Sequence, residues 1–260
     1  MPLIRANGTE LFYDLTGPAD TPVVVFSNSI GTTLEMWDGQ VPALAERYRC
    51  LRYDTWGHGR SPVVDRPIGI DDLADDLAGL LDALDIAKAH VVGLSLGGMT
   101  AQAFALRHPE RLDRLVLMAT AAHLPPPEGW LARARTVRAQ GMGAILEAVI
   151  PRWFTPPFIR QAPDRVAAVR ERFLANDPRG YARCCEAIAA MDLRPDISRI
   201  AAPTLILAGA DDPATPVAMM AEIRDLISGA EMHVVPEAAH LLAVEQADPV
   251  AQHLIGFLEA

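Results

Sequence analysis

The stretch Lys88–Thr100, "KAHVVGLSLGGMT", ends an apolar run abruptly in Gly93-Leu94-Ser95-Leu96-Gly97-Gly98. His90–Leu94 has the character of a buried strand, and Leu96–Arg107 the spacing of a helix. Gly-x-Ser-x-Gly at such a junction makes a sharp, strained turn that lifts the serine hydroxyl above a sheet. Glycine at 93 and 97 removes side chains that would collide where the helix returns past the strand. The first helical N–H groups then point at the site, so the Leu96 amide is a candidate oxyanion donor. Out of context, such a five-residue match is a small-residue turn with a bystander serine. The strand before and the helix after make Ser95 a candidate nucleophile.

The same alternation extends in both directions. Strands are predicted over Glu10–Leu15 (antiparallel), Pro22–Ser27, Tyr48–Tyr53, Leu115–Met118, Thr204–Ala208 and Met232–Val235. Helices are predicted over Asp71–Leu84, Pro216–Ile227 and Pro249–Leu258. Strands alternating with helices imply an α/β fold, a mostly parallel central sheet with helices on both faces. Residues 121–195 differ: they hold no strand-like run, and "HLPPPEGW" and "RWFTPPF" interrupt them with prolines. Helical pieces over Trp130–Ala139, Ala144–Val149 and Arg179–Met191 fit between the breaks. This segment reads as a helical cap inserted into a core made of residues 1–120 and 196–260, lying over the carboxyl ends of the strands, where open α/β sheets bind ligands.

Composition narrows the function classes. The chain has 260 residues, half of them apolar, and a formal net charge of −10. That charge disfavours nucleic acid and anionic membrane as partners. No apolar run approaches the roughly 20 residues that span a bilayer, and the N-terminal residues lack a secretion signal's layout. Cys50, Cys184 and Cys185 are an odd set without metal-ligand spacing, so neither a disulfide framework nor a metal site is expected. A reducing cytoplasm is the expected compartment, and no cofactor is called for.

A serine hydroxyl needs a base, and the base needs an orienting acid. On this scaffold the chain order is serine, acid, histidine. Of seven histidines, only His233, His240 and His253 follow the strand Thr204–Ala208. His233 falls within a strand and His253 within the closing helix, so His240, in the loop "PEAAHLLAVEQ", is the candidate base. The acid comes from "AGADDPATP". The spacing Gly-x-x-Asp-x-x-x-Pro from Gly209 to Pro216 selects Asp212, leaving Asp211 as a solvated neighbour. A second oxyanion donor is expected after Pro22–Ser27, in Asn28-Ser29-Ile30-Gly31. The Ile30 amide is the candidate there, with Ser29 as its alternative.

With Ser95, Asp212 and His240 in place, the chain resembles the α/β-hydrolase superfamily over essentially its whole length. "YDTWGHGRSP" (53–62) is similar to that superfamily's Asp-x-x-Gly-x-Gly-x-Ser loop. "SNSIGTTLEMWDGQ", "PRWFTPPF" and "GYARCCEAIAAMDLR" are similar to its 3-oxoadipate enol-lactonases. The chain departs from those relatives at Trp56, where they commonly carry arginine. The resemblance implies a small anionic lactone substrate, opened by Ser95 with His240 as base. For its binding, Ser29, Trp153 and Arg133 are the candidates. Residues 121–195 contain eleven arginines, no lysine and seven acids, a net +4 on a chain of −10. Such a lid would concentrate a carboxylate near the cleft. A general carboxylesterase, a cofactor-free perhydrolase and a non-catalytic binding module share the scaffold. Dehalogenases and epoxide hydrolases need an aspartate at position 95 and are excluded.

Overall fold

A computed structural model of the chain describes residues 2–64 and 66–260. Eight strands form one sheet: β1 (Leu3–Ala6), β2 (Thr9–Thr16), β3 (Val23–Ser27), β4 (Arg49–Tyr53), β5 (Ala89–Leu94), β6 (Leu112–Met118), β7 (Thr204–Gly209) and β8 (Glu231–Val235). Their order is β1-β2-β4-β3-β5-β6-β7-β8. β2 pairs antiparallel with both β1 and β4, and the remaining pairings are parallel. The strands predicted from the sequence are all present, with small changes at their ends. β1 is the addition. Its four residues carry little pattern, and pairing with β2 supplies its hydrogen bonds.

β3, β5 and β7 are buried along their whole lengths, as strands covered on both faces must be. Helices α1 (Val41–Leu44), α2 (Ile70–Ala83) and α3 (Leu96–Arg107) precede the cap. The sequence places α2 one residue later. In the structure the Asp72 carboxylate reaches back to accept the Gly69 amide at 2.7 Å, which closes the first turn earlier.

Five helices lie between β6 and β7: α4 (Pro127–Gln140), α5 (Gly143–Trp153), α6 (Pro156–Gln161), α7 (Pro163–Ala175) and α8 (Pro178–Ala190). Only α4, α5 and α8 are anticipated by periodicity, and α5 runs past Pro151 to Trp153. α6 and α7 begin at prolines, which suit a first helical turn; Thr155 caps α6 by accepting the Phe158 amide at 3.3 Å. The cap seats tightly on the loops after β3 and β4. A Cβ on Gly180 of α8 would lie 2.6 Å from the Gly57 Cα. Asn176 accepts the Gly59 amide at 2.8 Å and donates to the Gly31 carbonyl at 2.9 Å. Cap and sheet side chains form one continuous apolar core. Helices α9 (Val217–Leu226), α10 (Leu242–Glu245) and α11 (Ala247–Glu259) complete the chain. Among the described residues, no helix is long and apolar enough to cross a membrane.

The closest backbone contacts lie under α3. A Cβ on Gly97 would sit 2.0 Å from the Ser27 carbonyl oxygen, and one on Gly93 2.2 Å from the Gly97 carbonyl oxygen. Backbone cannot swing aside as a side-chain tip can. Gly97→Ala is expected to cost about 3 kcal/mol or more in urea unfolding, an overpacking effect. Gly129→Ala, in α4 with nothing within 4 Å of the added carbon, is expected to gain up to about 1 kcal/mol from helix propensity. Equal stabilities for the two variants would contradict this account.

Candidate active site

β3 marks the point where the chain reverses its direction of travel across the sheet: β4 lies on one side of it and β5 on the other. Loops leaving adjacent β3 and β5 therefore part at their carboxyl ends and leave a crevice. Ser95 sits there with φ 58° and ψ −116°, capping α3. Non-glycine residues rarely adopt this backbone, and here it is held from both sides. The Ser95 amide donates to Met118 O at 2.9 Å, and its carbonyl accepts the Thr120 hydroxyl at 2.7 Å. Gly98 is part of the same fit, since a Cβ there would meet the Thr120 side chain at 2.6 Å.

The loop after β3 is fixed by buried polar contacts. Asn28 donates to the Tyr53 carbonyl at 2.7 Å and accepts the Trp37 indole N–H at 2.8 Å. The segment after β4 braces it from below. Buried Asp54 accepts the Leu34 amide at 2.8 Å and the Arg60 amide at 2.9 Å, and Ser61 donates to the Asp54 carbonyl at 2.7 Å. A Cβ on Gly59 would lie 2.3 Å from the Asp54 carboxylate. The Asp-x-x-Gly-x-Gly-x-Ser pattern thus serves loop architecture. Trp56 is buried and is not among the residues that line the pocket.

Asp212 follows β7, and His240 follows β8. His240 Nδ1 donates to Asp212 Oδ2 at 2.8 Å, with both side chains almost wholly buried. Thr215 donates its hydroxyl to the same carboxylate oxygen at 2.6 Å, while the Ala214 and Thr215 amides donate to the other at 2.7 and 3.1 Å. Burial alone would raise the Asp212 pKa. The His240 charge and hydrogen bond, with those of Thr215 and Ala214, outweigh it and hold the carboxyl at about 2. Asp212 is therefore ionised at neutral pH. With Nδ1 committed to it, Nε2 is the nitrogen left for the pocket. Asp211 is exposed.

Ser95 and His240 line one narrow pocket of about 50 Å³, together with Ile30, Thr215, Trp130, Arg133, Arg152 and Trp153. The predicted Ser95, His240, Ile30, Trp153 and Arg133 thus meet there, with Asp212 behind the histidine. Leu96 opens α3, where its amide has no intrahelical acceptor. Ser29 does not join them. It is fully buried, lies outside the pocket lining, and directs its amide at the Met36 sulfur, 3.4 Å away. The turn points Ser29 inward, which leaves Ile30, not Ser29, as the candidate second amide.

Arg152 and Thr215 are the residues that sequence reasoning missed. Arg152 directly precedes the predicted Trp153, and Thr215 lies three residues beyond Asp212, so position alone was the available signal. Arg133 packs over the Trp130 ring at 4.7 Å and donates to the Tyr181 hydroxyl at 3.5 Å. Among the described residues, neither Arg133 nor Arg152 is paired with a carboxylate, whereas Arg138, Arg170, Arg183 and Arg194 of the cap all are.

The other histidines have structural partners. Burial lowers His58 to about 4, His123 bonds to the Met191 carbonyl at 2.9 Å, and His233 stacks on His253 at 4.8 Å. A recess of about 690 Å³ beside Arg107 and Asp192 is larger than the Ser95 pocket but is lined by no serine, cysteine or histidine.

The chain is 40% identical over 243 residues to 3-oxoadipate enol-lactonase 2 of Acinetobacter baylyi, a match covering 94% of this chain and 91% of that protein. The crystal structure of the enol-lactonase from Burkholderia xenovorans LB400 superposes with a TM-score of 0.97 at 42% identity, covering all of both chains. A thermophilic esterase from Thermogutta terrifontis, solved with malate bound, superposes at 0.94 with 30% identity over 100% of this chain and 98% of its own. Residues 22–172 and 174–247 match the family described by the alpha/beta hydrolase fold. The chain belongs to the α/β-hydrolase fold family.

Proposed function

We propose that the protein is a serine hydrolase that opens the ring of 3-oxoadipate enol-lactone to give 3-oxoadipate. The observation that carries this reading is a single pocket lined by Ser95 and His240 and by two arginines, Arg133 and Arg152, that have no carboxylate partner among the described residues. Similarity to enol-lactonases across nearly the whole chain supports the same substrate. The buried free thiols of Cys50, Cys184 and Cys185 are compatible with a reducing, cytoplasmic setting.

In this mechanism His240 Nε2 accepts the Ser95 proton as Oγ bonds to the lactone carbonyl carbon. The Ile30 and Leu96 amides hold the developing oxyanion, each such donor contributing about 3 kcal/mol to the barrier reduction. Collapse breaks the ring C–O bond, and His240 returns its proton to the departing enol oxygen. The enol stays tethered, and its tautomerisation to the ketone removes it as a nucleophile. His240 then takes a proton from water as the water oxygen attacks the acyl-enzyme. Breakdown releases the diacid and restores the Ser95 hydroxyl. Ionised Asp212 holds the Nδ1–H tautomer and stabilises the imidazolium in both halves. Trp130 and Trp153 supply apolar walls for a small ring, and the arginines a complement for its carboxylate arm.

A second reading, a carboxylesterase of broader range, is favoured by the likeness to the Thermogutta esterase. The two separate when loss of enol-lactone absorbance is followed beside hydrolysis of a short-chain aryl ester. The lactone is expected to turn over faster, with Ser95→Ala losing roughly 10⁴-fold or more while remaining folded. Preference for the ester would establish the second reading instead. Asp212→Asn places an amide where two donors now converge and removes the reason for the Nδ1–H tautomer. Its kcat is expected to fall on the order of 10³–10⁴-fold; a loss below tenfold would argue for another acid. Arg152→Met should raise KM for the anionic lactone about tenfold and leave the neutral ester within about twofold. Equal effects on both substrates would assign Arg152 to the cap's structure.

A further inference from the structure

We propose that Glu245 is a positioning residue for the base, tying the loop that carries His240 to the cap wall that faces the substrate. The inference rests on His240 being the base, as read above. Glu245 ends α10, is 7% exposed, and has no cationic partner among the described residues. Its carboxylate is held by neutral donors from two separate places. One oxygen accepts the Ala239 amide, the residue just before His240, at 2.8 Å. The other accepts the Thr155 amide at 3.0 Å and also the Thr155 hydroxyl. Thr155 lies in the cap, between α5 and α6. On the far side of the histidine, the Leu241 amide donates to the Trp153 carbonyl at 3.0 Å.

Both peptide neighbours of His240 are therefore anchored to the cap segment Trp153–Thr155, one directly and one through Glu245. Trp153 and Arg152, in the same segment, line the pocket. A carboxylate suits this place because both of its oxygens only accept, and an ionised acceptor strengthens each bond. Glutamine offers one acceptor and one NH₂ group, so it can accept from the Ala239 amide or from the Thr155 amide but not from both. The consequence is kinetic. When the cap wall is displaced, the imidazole is displaced with it, and misplacement of a catalytic group by about 1 Å costs on the order of 10²-fold.

The test uses Glu245→Gln, Thr155→Val and the double variant in the full chain, assayed on a neutral aryl ester. Active sites are counted by titration with a fluorophosphonate that labels the nucleophilic serine. Glu245→Gln is expected to lower kcat per titrated site about tenfold with KM changed less than about twofold. Thr155→Val should move it in the same direction, and the double variant should fall no further than Glu245→Gln alone, because both cut one connection. A kcat per site within twofold of the parent in both single variants, or fully additive losses, would overturn the inference. Fewer titratable sites with unchanged turnover per site would also overturn it, by showing a purely structural role. If Glu245→Gln does not fold, Thr155→Val decides by the same readings, since it keeps the carboxylate and both amides. Ser95→Ala in parallel keeps the two ideas apart. Activity surviving in it removes the triad reading, and this inference with it; an inactive Ser95→Ala beside a fully active Glu245→Gln removes this inference alone.

Discussion

The site depends on backbone packed against backbone where α3 passes β3 and β5. Gly97 touches the Ser27 carbonyl, Gly93 touches Gly97, and Gly98 lies against Thr120. This contact brings the amino end of a helix to the crevice between two parallel strands and forces Ser95 into a left-handed backbone. The strain is held by two hydrogen bonds, one from the Ser95 amide to the Met118 carbonyl at the end of β6 and one from the Thr120 hydroxyl just beyond it to the Ser95 carbonyl. The hydroxyl is thereby placed at the start of a helix whose first amides have no partners of their own. The candidate nucleophile and the candidate oxyanion donor are two consequences of one close approach.

Electrostatics around the pocket oppose those of the whole chain. The molecule carries −10, yet the walls near Ser95 present two guanidinium groups that have no carboxylate partner among the described residues. Several other cap arginines are paired with acids, as in Arg138–Glu186 and Arg170–Glu147. A local cation within an acidic surface attracts a carboxylate over short range while the bulk charge keeps other polyanions away. Behind the histidine the arrangement is reversed: Asp212 is buried, ionised and saturated with donors, so it can face an imidazolium without leaving its place.

Legibility from sequence followed the range of the interactions involved. The strands, α2, α3 and the serine turn were readable because periodicity and glycine placement act over a few residues. Ser95, Asp212 and His240 could be chosen because chain order and loop position are themselves sequence properties. The cap was readable as helical, but α6 and α7 were not resolved, since their boundaries come from prolines and from Thr155 capping. The inward direction of Ser29 was not readable because the direction of a turn residue is set by what surrounds it, here Met36. Arg152, Thr215 and Glu245 carried no local signal, as each acts through partners distant in the chain or merely beside a stronger candidate.

Residue chemistry and spacing by themselves determined the α/β alternation, the inserted helical segment, and the choice of candidate nucleophile, base and acid. Those properties are local, or depend only on the order of loops along one edge of a sheet. Tertiary structure alone decided which residue of the loop after β3 lines the pocket, which arginines join it there, and that the histidine loop is bound to the cap on both sides. Each of these depends on distances between segments many tens of residues apart, and only the packed chain sets those distances.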